Sequence, residues 1–406
     1  MTNPKRTAQI ALGKAGDDEF LNLKNYKLYP ERADFGWASN NSVVITNDIS
    51  KEDRYKIYSD LKDRIIDNGE PGIFWIDNAK EKGRTIDPVN NKDHKIMGTN
   101  PCGEQSLESS EVCNLSEVYI SNNDTLDEYL DSLRVAYLYG KTVSLGDIHW
   151  EETDTIVKRN RRLGISNSGI ADFITKHGLE ELKIWLDTGY KYLVELDKQT
   201  SAQWKIPESI KLTSIKPSGS ISILPGVSSG MHYPIRDTFI RRVRIQNNNP
   251  LVPRLRDAGY TVEEDLVYPS SFVVEFPTQT RRANGKRIPL QSEVSIEQQM
   301  ELAALLQNYW ADNQVSCTIS FDKDTEGHKI PALLAQYESS MKAISFLPNQ
   351  TNGVSSYKQM PFEEIDEEAY ANMISKLRPV DTRNIKDKIE EETDKFCGGE
   401  KCTLEN

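Results

Sequence analysis

In Asn100-Pro-Cys-Gly-Glu104 an amide, a thiol and a carboxylate stand at alternate positions. Proline withholds an amide hydrogen and glycine frees the backbone, so this run is expected to form an extended or looped strip. In an extended strip residues two apart face the same way. Asn100, Cys102 and Glu104 then share one face, within reach of one small molecule, which is an arrangement for a catalytic thiol. A zinc knuckle or a buried structural thiol would contain the same residues. Zinc asks for about four ligands, and no CxxC or HxxxH pair lies nearby. Cys113 follows in Glu111-Val-Cys-Asn-Leu, where it is either part of the same chemistry or ordinary strand packing.

Other segments offer chemistry of their own. Lys216-Pro-Ser-Gly-Ser-Ile-Ser222 is a glycine- and serine-rich turn between apolar runs. Its amides and hydroxyls suit a phosphate cradle, and a plain surface turn would look similar. Cys397-Gly-Gly-Glu-Lys-Cys402 sits in a polar, glycine-rich tail, where a mobile, accessible thiol pair suits thiol exchange. Cys317, in an alternating strand, reads as a buried thiol. His232 is the one histidine in a suggestive context, and the histidines form no metal pair.

The elements that position these groups can be read in outline. Thr125-Leu-Asp-Glu128 and Ser295-Ile-Glu-Gln298 are capping boxes that open helices. The stretch from Leu179 to Gln203 carries a leucine face at helical spacing. Between the helices lie β-rich runs at Val112–Ile120, Ser271–Phe276, Gln314–Phe321 and Ala343–Leu347. Strands alternating with helices favour a mostly parallel sheet or barrel. From about Pro379 the chain becomes charged and coil-like.

Composition bounds the partners. The 406 residues carry 50 Lys and Arg against 62 Asp and Glu, a net charge of −12. That argues against a nucleic-acid polymer, and the short run Ile240-Arg-Arg-Val-Arg244 does not outweigh it. Hydrophobic residues make up 37% and mean hydropathy is −0.60, as in globular chains with a real core. No run approaches the roughly 18 apolar residues of a membrane helix, and MTNPKRTAQIALG is no signal peptide. A cytoplasmic location without membrane association is expected. The 5 cysteines are too few for a disulfide scaffold.

The segment from Asn100 to Leu107 resembles the finger loop of ribonucleotide reductases. The resemblance implies part of a ten-stranded α/β barrel with a central finger loop, at about 95–112, and a flexible C-terminal arm. It also implies roles for individual residues: Cys102 as the thiyl-radical site, Glu104 as general base, Asn100 as the positioning amide. Cys113 matches one member of the pair that reduces the 2′ position. Arg162-Leu-Gly-Ile-Ser-Asn-Ser-Gly-Ile-Ala-Asp172 is similar to another of the family's segments. Pro217, Ser218, Gly219, Ser220 and Ile221 match the turn, at a helix N-terminus, that binds substrate phosphates. Cys397 and Cys402 resemble the shuttle pair that thioredoxin, or a similar dithiol, reduces.

Within the family, the chain lacks the adjacent tyrosines of the iron-dependent branch. Gly226–Pro234 and Ser355–Ile365 instead resemble the adenosylcobalamin-dependent branch, in particular its monomeric triphosphate reductases. Adenosylcobalamin is therefore the implied cofactor, its cobalt carried by the corrin, with a ribonucleotide as substrate. The resemblance begins at Arg6-Thr-Ala-Gln-Ile-Ala-Leu-Gly13, a segment that lies well inside the barrel in complete reductases. Residues 1–378 are thus expected to form a C-terminal portion of the barrel and 379–406 a redox-shuttle tail. A complementary N-terminal chain would supply the early strands, the effector site and the other reducing cysteine. The rival expectation is a non-catalytic nucleotide-binding or scaffold remnant of the same fold.

Overall fold

Both capping boxes form at the expected residues. Thr125 accepts from the Glu128 amide and Ser295 from the Gln298 amide, and each N3 side chain reaches back to its cap. Such caps stabilise a helix by about 1 kcal/mol each. The computed structural model describes residues 9–34, 36, 39–266, 269–349, 359 and 362–383. Cys397, Cys402 and most of Ser355–Ile365 lie outside the described residues.

The first half of the chain gives β1 (Gln9–Gly13), α1 (Asp18–Leu21), β2 (Ser39–Ile45), α2 (Lys51–Asn68), β3 (Gly72–Trp75) and α3 (Ile76–Glu81). A short hairpin of β4 (Gly98–Thr99) and β5 (Ser106–Leu107) follows. Next come β6 (Leu115–Tyr119), α4 (Leu126–Val143), α5 (Glu151–Asn160), β7 (Gly164–Ser168), α6 (Ile170–His177) and α7 (Leu179–Trp204). The rest comprises β8 (Thr238–Gln246), α8 (Leu251–Asp257), β9 (Val262–Glu264), β10 (Ser271–Gln279) and α9 (Ile296–Tyr309). It ends with β11 (Thr318–Phe321), α10 (Ile330–Tyr337), β12 (Ala343–Pro348), β13 (Phe362–Glu364) and α11 (Glu367–Lys376).

These elements divide into two compact units. The larger holds the described residues up to 235 together with 281–349. The smaller, 236–280 with the residues from 359 onward, is built on the antiparallel sheet β13-β8-β10-β9. Sequence reading did not separate it from the barrel portion, because β13 joins β8 from more than a hundred residues away. In this unit Arg242 pairs with Glu275 and Glu363, and Arg244 with Asp265.

In the larger unit β1, β2 and β3 run parallel, β12 runs antiparallel to β3, and β11 runs parallel to β12. The residues just before β11 continue the ladder. Val315 bridges Ile215 in parallel, Thr213 bridges Ile165 of β7, and β7 pairs in parallel with β6. Among the described residues the ladder thus has eight segments, three in one sense and five in the other. The resemblance implies ten strands for a complete barrel; β1 and β6 are the edges here. Helices cover the outer face, where Tyr129, Leu133, Leu186, Leu193, Leu306 and Trp310 are fully or almost fully buried.

The opposite face is polar. Register puts Glu117 of β6 with Ser166 and Ser168 of β7 on that side, and the β4–β5 hairpin projects along it. A buried ion cluster anchors the hairpin's base. Arg162 grips Asp93 with two 2.7 Å bonds and Glu111 at 2.9 Å, and Lys211 meets Asp93 at 2.8 Å.

Candidate active site

The finger strip is a tight turn, so alternation along an extended strand does not explain its arrangement. Gly103 N–H donates to the Asn100 carbonyl, Asn100 N–H to the Gln105 carbonyl, and Gln105 N–H to Asn100 Oδ1. Gly103 takes φ +77 with open space around it, so backbone conformation is what calls for glycine there. The turn still gathers the predicted groups. Asn100 lies within hydrogen-bonding reach of the Glu104 carboxyl and the Cys113 thiol, and Cys102 and Glu104 both act electrostatically on Cys113.

Three bonds hang the tip inside the ladder. Asn40 Nδ2 of β2 donates to the Pro101 carbonyl at 2.8 Å. Ser316 Oγ donates to the Cys102 carbonyl at 2.5 Å, and Gln314 N–H to the Glu104 carbonyl at 3.1 Å. A cleft opens between the tip and the ladder, bounded by Thr99, Cys102, Gly103, Asn40, Ser316 and Ser345. Cys102 is exposed.

The electrostatics differ from group to group. Glu104 is 3% exposed, and its Oε2 has no hydrogen-bond partner. Burial raises its carboxyl, Asn100 and Lys216 oppose the rise, and Glu117 adds to it. Cys113 is exposed as a residue, yet desolvation of its thiol, aided by Glu104 and Cys102, pushes it up to about 11. The thiol is therefore protonated at neutral pH. The loop carrying it is held by Glu111 on Arg162 and by the Asn114 amide on Gln105 Oε1. Cys317 is buried as expected. It borders the same cleft, and burial pushes its thiol up to about 12.

The turn at 217–221 lies close by. Lys216 pairs with Glu117 at 2.9 Å and also acts on Glu104, so one ammonium joins the two regions. Ser218 takes φ +52, and its Oγ donates to Glu117 Oε1 at 2.7 Å. The crest at Ser220 and Ile221 is exposed. The turn leads into three residues of 3-10 helix, Ile221–Ile223, where the resemblance implies a full helix. Gly230 closes against it: a Cβ there would meet the Lys216 carbonyl at 2.2 Å.

Sequence reading passed over Glu117, the hub that binds Lys216, Ser168 and Ser218. The signal was a carboxylate in the middle of a β-rich run, where a buried charge needs partners. Among the described residues no group of three or more His, Cys, Asp or Glu is placed to hold a metal ion, and no helix is long and apolar enough to cross a membrane.

His232 staples this region to β11. Its Nε2 accepts from the Thr318 amide at 3.1 Å, which leaves Nδ1–H facing the Ser229 carbonyl at 3.2 Å. Burial lowers its pKa below 6.5. The unfolded chain therefore takes up this proton first as pH falls through 6.5, and stability declines below that point. Urea unfolding between pH 8 and 5 should show this loss, flattened in His232→Gln. Some slope should remain from His177, also lowered by burial. An unchanged slope in His232→Gln would refute the assignment.

Comparison with known proteins gives a consistent picture. Residues 36–180 match the family described as ribonucleotide reductase, barrel domain. The chain is 45% identical over 404 residues to a probable adenosylcobalamin-dependent ribonucleoside-triphosphate reductase of Dictyostelium discoideum, covering 99% of this chain and 52% of that protein. The adenosylcobalamin-dependent ribonucleoside-triphosphate reductase of Euglena gracilis is 43% identical, with 98% and 54% covered. The crystal structure of a B12-dependent class II ribonucleotide reductase superposes with a TM-score of 0.80 at 34% identity, covering 91% of this chain and 53% of that one. The chain spans about half the length of the curated relatives it matches.

Proposed function

Because the chain belongs to the ribonucleotide reductase family, we propose that it is the thiol-bearing part of an adenosylcobalamin-dependent ribonucleoside-triphosphate reductase. Assembled with the remainder of the barrel, it reduces ribonucleotides to 2′-deoxyribonucleotides for DNA synthesis in the cytoplasm. The hairpin tip carries this reading. It sets an exposed thiol at a cleft, a buried carboxyl with a spare oxygen, and a second, protonated thiol on which both of the others act electrostatically.

Cys102, as a thiyl radical, takes the hydrogen atom from C3′ and becomes a thiol. Glu104 accepts the 3′-hydroxyl proton, a task suited to a raised carboxyl, and Asn100 orients the hydroxyls. The 2′-hydroxyl leaves as water with a proton from a cysteine pair that closes to a disulfide, and the pair's other hydrogen goes to C2′. Cys113 is one member of that pair; the other comes from the remainder of the barrel. Cys102 then returns its hydrogen atom to C3′, and Glu104 returns the proton to the 3′ oxygen. Per turnover, two thiols become one disulfide and one water leaves.

Pro217, Ser218, Gly219, Ser220 and Ile221 hold the substrate phosphates, with Lys216 close by. Exposure of Cys102 at the cleft would leave its thiol accessible to a bound cofactor. When bound, adenosylcobalamin supplies the radical by homolysis of its cobalt–carbon bond. Cys397 and Cys402 act as the dithiol that reopens the disulfide and is reduced in turn by thioredoxin or a similar dithiol.

The test supplies the chain with the remainder of a relative's barrel, adenosylcobalamin, a ribonucleoside triphosphate and thioredoxin. Deoxynucleotide should accumulate over many turnovers. Nucleotide binding without any product would overturn the reading.

A further inference from the structure

Glu117 reaches the polar face of the ladder from the middle of β6, and its side chain is 3% exposed. Its two oxygens have different partners. Oε1 accepts from Ser168 Oγ of β7 and from Ser218 Oγ of the 217–221 turn. Oε2 faces Lys216 Nζ at 2.9 Å, at an angle that makes this a charge contact rather than a directed hydrogen bond. The backbone beneath the lysine is fixed, because Lys216 N–H donates to Ser166 Oγ at 2.9 Å. The ammonium itself rides on a flexible four-carbon stem and rests where negative charge holds it.

The same ammonium acts on a second buried carboxyl. Lys216 and Glu117 both act on Glu104 through space, and Glu104 in turn acts on the Cys113 thiol. Glu104 Oε2 has no hydrogen-bond partner. A lysine near two buried carboxylates, one with an open oxygen, is expected to close on the open one. Lys216 sits on the other. A base paired directly with an ammonium loses basicity, since an opposite charge favours the ionised form. Where Lys216 rests thus decides how well Glu104 takes a proton.

We propose that Glu117 is a positioning residue that holds Lys216 away from Glu104, so that Glu104 Oε2 stays open to a hydroxyl of the ribose. The ribose rests on the reductase reading; the competition of two carboxylates for one ammonium does not. With Glu117 neutralised, Lys216 turns to Glu104 and occupies the oxygen that the substrate needs.

The first readout is independent of turnover. The 406-residue chain is labelled with carbon-13 at its glutamate carboxyls, and the Glu104 signal is identified by its loss in E104Q. Burial holds Glu104 above the ordinary glutamate range. E117Q should lower its titration, because Lys216 then pairs with it. K216M should raise it, and E117Q/K216M should return it close to wild type. In the assembled enzyme, E117Q should lower kcat about tenfold or more. E117Q/K216M should recover most of that kcat, with a higher KM because the cation beside the phosphate turn is gone. A Glu117 that served the fold alone would leave the double variant no better than E117Q, and that outcome overturns the proposal. So does a Glu104 titration that E117Q leaves in place. If E117Q loses the wild-type circular dichroism spectrum, E117D carries the test. Its shorter side chain loosens the hold on Lys216, and equality with wild type in both readouts overturns the proposal. If the wild-type assembly forms no deoxynucleotide, the reductase reading falls and the titrations alone decide where Lys216 rests.

Discussion

Cys102→Ser in the assembled enzyme is expected to lower deoxynucleotide formation by about four orders of magnitude or more. A hydroxyl holds its hydrogen far more tightly than a thiol, so serine cannot pass a hydrogen atom to and from C3′. The substitution leaves the hairpin intact. The bonds that hang the tip use the carbonyls of Pro101, Cys102 and Glu104, and the side chain is exposed. Stability should therefore stay within about 0.5 kcal/mol of wild type, and nucleotide affinity should persist. Product quantification beside a binding measurement separates these outcomes. Turnover within tenfold of wild type would remove Cys102 from the chemistry.

Arg162→Met should destabilise the fold by about 3–5 kcal/mol, the range for breaking a buried ion pair from one side. Arg162, Asp93 and Glu111 have side chains 2%, 2% and 1% exposed. The substitution leaves Glu111 without its guanidinium and Asp93 with Lys211 alone. Burial alone would raise the Asp93 carboxyl, but Lys211 and Arg162 hold it well below the usual carboxylate range. Its contribution is present at neutral pH and is lost as pH falls below about 4. Arg162→Lys keeps the charge and loses the two-pronged grip, so its cost should be intermediate. Urea unfolding at pH 7 measures both variants. A loss below about 1 kcal/mol for Arg162→Met would show that the cluster does not brace the hairpin.

Local chemistry made much of this legible in the sequence. The helices after Thr125 and Ser295 begin at their caps because a cap and its partner lie within one turn of each other. The groups around Cys102 could be named because a short run contains three of them. Other features join residues distant in the chain, and no local pattern reports those. The Arg162–Asp93–Glu111 cluster spans some seventy residues, and the smaller unit needs β13 beside β8. Asn100 to Glu104 came together through a turn stitched by Asn100 and Gln105, where alternation alone suggested an extended strip.

The three bonds of the finger tip have a mechanical consequence. Asn40 stands on β2, among the strands of one sense; Ser316 and Gln314 lead into β11, among those of the other. The thiol is thus slung between both halves of the ladder, like a weight on guy lines fixed to two walls. Between the walls, β3 and β12 share a register of two residue pairs, Ala343 with Phe74 and Ile344 with Ile73. If one wall slides along that short seam, the lines slacken or tighten and the thiol moves with them. Whatever grips either wall thereby gains a handle on the reach of Cys102 without touching it.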